Sequence, residues 1–294
     1  MQPVLGFIGL GTMGLPMSGH LVRAGHRVLG FDPAPAAMSA AGAQGLIACA
    51  DAAAVGREAQ VVFTCLPSQK IVRATVDALL GSMQPGGVIV DCSTISPQLA
   101  AELERDAAGR DIGFLDAPLS GAGSGAQAAT LSIMVGGEAA IFERVRPLLE
   151  RMGRHIFHLG PAGSGQTAKL CQNLILVSTL SGVMESVALG RAVGIEPRRL
   201  LEVMDTCLAP TRVMEVLVKP KFDGRVPFDH STEGLTMICK DITLVRELAQ
   251  RVGVHLPVGS RIQSLYQQAV AKGHGRHDLL AWYELIEQGV FEAG

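Results

Sequence analysis

Val4-Leu5-Gly6-Phe7-Ile8-Gly9-Leu10-Gly11-Thr12-Met13-Gly14 is the stretch from which the rest of the chain can be read. A short apolar run ends in three glycines spaced GxGxxG, and a helical pattern follows to Ala24 before Gly25. A second apolar run, Val28 to Phe31, then ends in Asp32. Strand, glycine turn, helix, strand and acid, in that order, describe a dinucleotide-binding unit. Gly9 and Gly11 permit a tight turn and let the backbone approach a pyrophosphate, and Gly14 lets helix and strand pack closely. Thr12 and Met13 complete the turn. Asp32 stands eighteen residues past Gly14, close to the spacing expected of a ribose partner. Its carboxylate accepts from a ribose 2'-hydroxyl and repels a 2'-phosphate, and Pro33-Ala34-Pro35 offers no arginine to hold one. NAD is therefore expected as cofactor, with NADP the less favoured.

The alternation continues through Val61 to Cys65, Val88 to Asp91 and Ile112 to Asp116, with helical patterns between. Asp51 and Ser96-Pro97 are good helix starts. Strands apolar on both faces and separated by helices imply a parallel sheet covered on both sides. Ligand then lies at the carboxyl ends of the strands, where Leu66-Pro67 and Ser93-Thr94 sit, although both are also ordinary strand-to-helix turns. Asp116 to Gly125 is a loop of small residues. It reads either as a flexible turn or as a concave site in which successive backbone N–H groups hold a carboxylate. Thr130 to Val135 resumes a strand before Gly136-Gly137.

Gly163 to Gly194 reads as one long helix, with small residues at its start, no proline inside it, and Gly194 with Pro197 as its stop. It is apolar on most sides, so burial round nearly its whole circumference is expected. Lys169 is then a charge at the edge of a buried element. It is either a lysine that snorkels to solvent or a catalytic amine, with Asn173 one turn away on the same face. After Gly194 helical patterns follow one another to the end, with apolar faces at Leu200 to Leu208, Leu235 to Val252, Ile262 to Ala269 and Leu279 to Ile286. Lys240 lies off the apolar stripe of its helix.

Composition narrows the function. A chain of 294 residues with 48% hydrophobic and 18% charged residues supports a substantial core. A net charge of -2 without a basic run argues against nucleic acid. Six cysteines without a Cys-x-x-Cys pair read as reduced, buried residues of a cytosolic protein. The N-terminus lacks the basic region of a signal peptide. Leu174 to Met184, interrupted by Ser178 and Ser181, falls short of a clean membrane span. His155-x-x-His158 and His274-x-x-His277 have ligand spacing but no acid or thiol set nearby, so no metal is expected.

Four motifs together carry a resemblance: Gly6 to Gly14, Asp116 to Gly137, Gly165-Gln166-Thr167-Ala168-Lys169 with Asn173, and Lys240-Asp241. The set resembles the beta-hydroxyacid dehydrogenases, a family that includes 3-hydroxyisobutyrate dehydrogenase and tartronate semialdehyde reductase. The resemblance implies an α/β Rossmann N-terminal domain over 1–162, a long interdomain helix over 163–194, and an all-α domain over 195–294 for substrate and oligomerisation, with the active site between domains. It implies a cytoplasmic homo-oligomeric oxidoreductase that interconverts a small 3-hydroxy acid and its semialdehyde or keto form. Lys169 falls on the catalytic general acid/base and Asn173 on its supporting asparagine. Ser120, Gly121, Ala122 and Thr94 fall on substrate contacts. Thr94 and Lys240 fall on positions near the cofactor, joining Gly9, Gly11, Thr12, Met13, Gly14, Asp32, Leu66 and Pro67. The alternatives are a semialdehyde reductase working with NADPH and a catalytically inactive nucleotide-binding relative. The chain departs from the family pattern at Ala122, where a second glycine is usual, and at Glu233, where an aromatic is expected; either an insertion restores Phe228 to that role or the pocket contains an acid. Arg212, Asp229, His230 and Glu233 are further candidates for the pocket.

Overall fold

The computed structural model describes residues 3–226 and 234–291. Phe228, Asp229, His230 and Glu233 lie outside the described residues. Two compact units are separable, Met1–Lys169 and Leu170–Gly294.

In the first unit β1 (Leu5–Ile8), β2 (Val28–Phe31), β3 (Ile47–Ala48), β4 (Val61–Thr64), β5 (Val88–Asp91) and β6 (Gly113–Asp116) run parallel in the order β3-β2-β1-β4-β5-β6. Beyond them β8 (Leu131–Gly137) runs antiparallel to β6 and to the short β7 (Leu119–Ser120), and parallel to β9 (Gly153–His158). The connecting helices are α1 (Gly14–Arg23), α2 (Pro35–Ala43), α3 (Ala52–Glu58), α4 (Gln69–Leu80), α5 (Pro97–Ala108), α6 (Ala122–Gln127) and α7 (Ala139–Leu149). Strands β1, β4 and β5 are buried along their whole length. Their residues alternate between two cores, with Phe7, Phe63 and Val90 on one face of the sheet and Ile8, Val62 and Ile89 on the other. This period of two is why these runs carry no polar face. The chain starts its helices where the sequence predicts. Asp51 Oδ1 accepts from Ala54 N–H at 2.7 Å, and Ser96 Oγ accepts from Leu99 N–H at 3.1 Å with Pro97 in the first turn. The strand order reverses between β1 and β4, which opens a crevice at the carboxyl ends of the strands.

The long helix α8 (Ser164–Ala192) begins in the first unit and continues into the second. There it is followed by α9 (Pro197–Asp205), a π-helical turn at Met214–Val218, α10 (Lys219–Phe222), α11 (Gly234–Val252), α12 (Pro257–Ala271) and α13 (Trp282–Glu287). The described residues of this unit form no strand. Leu170, Val177, Leu180, Met184 and Val187 of α8 share one core with Ile238, Ile242 and Val245 of α11, and with the stacked rings of Tyr266 and Trp282, 4.2 Å apart.

Three expectations need correcting. The long helix is not covered on all sides by its own chain, since Ile175 and Leu189 are 67% and 70% exposed. Their face points away from the single core that the other helices build. By length and composition alone α8 is long and apolar enough to cross a membrane, because its serines lower the average only slightly. Its core residues pack against protein, as those of an interior helix do. The cysteines are all free, but Cys171 and Cys207 are exposed rather than buried.

Candidate functional site

The glycine turn is dictated in part by packing. Gly9 has φ of 90°, and a Cβ there would lie 2.2 Å from the Cys65 carbonyl oxygen. A Cβ on Gly14 would lie 1.8 Å from the Gly9 carbonyl oxygen. Gly11 is different: nothing stands within 4 Å of its Cβ position. The fold does not require glycine there, whereas a pyrophosphate lying against the turn does, and Gly14 opens α1 with no side-chain cap on its N–H groups. Asp32 sits beside this turn. Its Oδ2 accepts from Leu10 N–H at 2.8 Å and its Oδ1 from Ala34 N–H at 2.8 Å, which fixes the carboxylate at the end of β2. These residues fit a dinucleotide whose ribose hydroxyls face an acid.

Next to Asp32 a depression of ≈ 780 Å³ is lined by Phe31, Ala52, Ser68, Lys70, Ile71 and Ala74 among others. Its walls are largely apolar and suit a flat aromatic ring. The turn after β4 is tied to the turn after β5, since Leu66 N–H donates to Ser93 Oγ at 2.9 Å. Ser93 Oγ in turn donates to Asp91 Oδ1 at 2.6 Å, as does Thr64 Oγ1 at 2.7 Å. Thr94 follows directly and is half-buried. Burial pushes the neighbouring Cys65 thiol up to about 12, so it is not a nucleophile near neutral pH.

The loop after β6 takes the conformation that its small residues allow. Gly121 has φ of 136° and Ala122 has φ of 53°. A Cβ on Gly123 would stand 3.0 Å from Thr12 Cγ2, and His20 Nε2 of α1 lies 2.9 Å from the Ala126 carbonyl oxygen. The helix α6 that follows Ser120 and Gly121 is thus built against the glycine turn and α1. Ala122 holds a left-handed conformation that costs an alanine roughly 1–2 kcal/mol, so the missing second glycine leaves strain at this point.

Asp116, at the end of β6, is fully buried and accepts from Gly163 N–H at 2.7 Å and Gln166 N–H at 2.8 Å. It serves the first turn of α8 as an N-cap does, from outside the helix. Burial raises its carboxyl to about 6, against the lowering effect of those two N–H groups, and the Asp91 charge adds to the rise. Lys169 lies three residues beyond Gln166 in this helix and is half-buried.

In the second unit, Asn173 is 1% exposed and its Nδ2 donates to Asp241 Oδ2 at 2.8 Å. Lys240 Nζ lies 2.8 Å from Asp241 Oδ1, as an ion pair whose angle does not make a hydrogen bond. Lys240 is therefore not simply a solvated charge off the apolar stripe. His158, singled out by its spacing, lies 2.8 Å through Nε2 from the Gly137 carbonyl oxygen and stacks on Phe142.

Comparison with known proteins finds similarity along nearly the whole chain. Residues 4–160 match the family described as the NAD binding domain of 6-phosphogluconate dehydrogenase. Residues 163–286 match that described as NAD-binding of NADP-dependent 3-hydroxyisobutyrate dehydrogenase. The chain is 37% identical to the NAD-dependent L-serine dehydrogenase of Pseudomonas aeruginosa, over 96% of this chain and 97% of that one. The chain belongs to the beta-hydroxyacid dehydrogenase family. The 2-(hydroxymethyl)glutarate dehydrogenase of Eubacterium barkeri is 33% identical to it, over 97% and 95% of the two chains. The solved structure of Mycobacterium tuberculosis 3-hydroxyisobutyrate dehydrogenase with L-serine is 34% identical, with a TM-score of 0.86 over 97% and 99%. The chain is an NAD-dependent dehydrogenase of the hydroxyacid type, and the relatives are named for small hydroxy acids.

Three features of the dehydrogenase escaped the reading of its sequence. The apolar depression beside Asp32 was signalled only by Phe31 preceding the acid. Asp241 carries no sign of a role in the sequence, although it engages both Asn173 and Lys240. Gln166 stands within the Lys169 motif without a distinguishing signal, and its amide bonds only to backbone groups.

Proposed function

We propose that the dehydrogenase oxidises a 3-hydroxypropanoate substituted at carbon 2. L-Serine, 3-hydroxyisobutyrate and 2-(hydroxymethyl)glutarate, which the relatives' names specify, all share a carboxylate, one intervening carbon and a primary alcohol. They differ only in the group on that carbon. In this reading the N–H groups and hydroxyl of Ser120 to Ala122 hold the carboxylate, and Thr94 holds a further oxygen of the substrate. Bound NAD supplies the hydride acceptor for the hydrogen on the carbinol carbon. The Lys169 amine takes the hydroxyl proton as the O–H bond breaks and the C=O bond forms. Run backwards, the Lys169 ammonium returns that proton to the developing alkoxide. Asn173, held by Asp241, presents its remaining amide oxygen for one more hydrogen bond. Asp32 favours NAD and disfavours the reading as an NADPH-dependent reductase. The observation that carries the proposal is that α8 places Lys169 one turn past a capped, buried N-terminus, in the unit that holds both loops.

The proton acceptor in oxidation is the neutral amine, so the oxidation rate should rise with pH. Lys169→Ala should lower kcat by roughly a thousandfold while the NAD dissociation constant changes less than about threefold. Retained turnover in that variant would remove Lys169 from the chemistry. Rates with NAD against L-serine, 3-hydroxyisobutyrate and 2-(hydroxymethyl)glutarate test the substrate class, and no oxidation of any of them would refute it.

A further inference from the structure

Gln166 is completely buried, and every end of it is occupied. Its Nε2 donates to the Ser93 carbonyl oxygen at 2.9 Å, its Oε1 accepts from Ile95 N–H at 3.1 Å, and its own backbone N–H donates to Asp116 Oδ2 at 2.8 Å. Only one orientation of the amide satisfies both side-chain bonds, because the flipped group would set donor against donor and acceptor against acceptor. The two backbone groups it grips lie on either side of Thr94. Ser93 is also the residue whose Oγ receives Leu66 N–H. One side chain in the first turn of α8 therefore clamps the loop after β5, and with it the turn after β4, to the helix that carries Lys169 three residues on.

We propose that Gln166 is a positioning residue for the dehydrogenase reaction: by clamping the peptides on both sides of Thr94 to the first turn of α8, it sets the placement of Thr94 relative to Lys169. This rests on the reading of Lys169 and Thr94 as site residues. Filling the volume alone is not enough, because an apolar side chain of the same size would leave Ser93 C=O and Ile95 N–H without partners in a buried place. The loop would then move to regain them. Displacement of a substrate-contacting loop by about 1 Å costs on the order of a hundredfold in rate, with little effect on cofactor binding.

The test uses Gln166→Met, which keeps the volume and loses both side-chain bonds, and Gln166→Asn, one methylene too short to reach both groups. Gln166→Asn is read in the same way should the first not fold. Each is measured in the full chain for its NAD dissociation constant and for kcat per NAD-binding site, with whichever of L-serine and 3-hydroxyisobutyrate the wild type turns over better. The expected result is a loss of about 10- to 100-fold in kcat, with the NAD dissociation constant within about threefold of wild type. In a Thr94→Ala background the same substitution should cost less than about threefold, because its effect runs through Thr94. A merely structural role would lower the yield of folded protein without this coupling. The inference is overturned if kcat stays within about twofold of wild type, or if the loss is undiminished in the Thr94→Ala background. Lys169→Ala separates the two ideas. If that variant is inactive while Gln166→Met is normal, the positioning role fails alone; if Lys169→Ala remains active, the underlying assignment fails and takes the positioning role with it.

Discussion

Asp116 predicts an unusual pH dependence of stability. Its carboxyl titrates at about 6 in the folded chain against 3.8 as a free side chain. Between those two values the folded state holds a proton that the unfolded state has released. Stability contributed by this group is therefore greatest below about 3.8 and falls as pH rises to about 6, above which it is flat. At about 1.4 kcal/mol per pH unit, the full change is roughly 3 kcal/mol. Roughly 2 kcal/mol of it lies between about pH 4.5 and about pH 7.5, because the unfolded side chain is already mostly ionised at the lower limit. Asp116→Asn removes the titration. The amide keeps one acceptor for the start of α8 and sets its NH₂ against the other N–H, at a cost that does not vary with pH. Urea unfolding of wild type and variant, followed by circular dichroism across that range, isolates the Asp116 contribution as the difference between the two curves. The wild type should lose roughly 2 kcal/mol relative to the variant as pH rises. Parallel curves, or a wild type that gains on the variant, would show that the two N–H groups balance or outweigh burial and that the carboxyl is not raised.

Other predictions are more local. Asp32→Asn keeps an acceptor for Leu10 N–H but removes the charge, so kcat/KM with NADP relative to NAD should rise by roughly 10- to 100-fold; an unchanged ratio would show that Asp32 does not choose the cofactor. Gly11→Ala and Gly14→Ala should separate folding from binding. The first meets no protein atom within 4 Å and should keep the wild-type Tm with weakened NAD affinity, whereas the second sets a Cβ 1.8 Å from the Gly9 carbonyl oxygen and should lower both. A calorimetric scan with and without NAD distinguishes them, and equal Tm losses would contradict the account. Ile175 and Leu189 leave an apolar face on α8, which a second copy of the chain is expected to cover. Equilibrium sedimentation should give at least twice the chain's 30.8 kDa, and a stable monomer at micromolar concentration would refute this.

The parallel half of the sheet was legible because its signals are local: apolar runs of four or five residues, glycine turns, and caps such as Asp51 and Ser96. The antiparallel addition was less so. Leu119–Ser120 is too short to announce a strand, and nothing in Gly153–His158 specifies that it pairs with β8. The loop after β6 was recognised as a loop, but the positive φ of Ala122 was hidden by its being alanine. In the sequence Asp116 marks the start of a loop, and nothing local shows that it caps a helix forty-seven residues away. Gln166 illustrates the general limit: its partners are peptide groups, and every residue has those, so no pattern of side chains marks them.

The boundary between the two compact units falls inside α8, just after Lys169, with Asn173 four residues further along the same unbroken helix. Inserting or deleting a single residue in this interval would rotate one of these side chains about 100° around the helix axis relative to the other and shift it by about 1.5 Å. Loops elsewhere in the chain can lengthen without such a penalty. The spacing from Lys169 to Asn173 should therefore tolerate substitution but not a change in length, and a library of insertions across α8 would show a sharp interval of intolerance there.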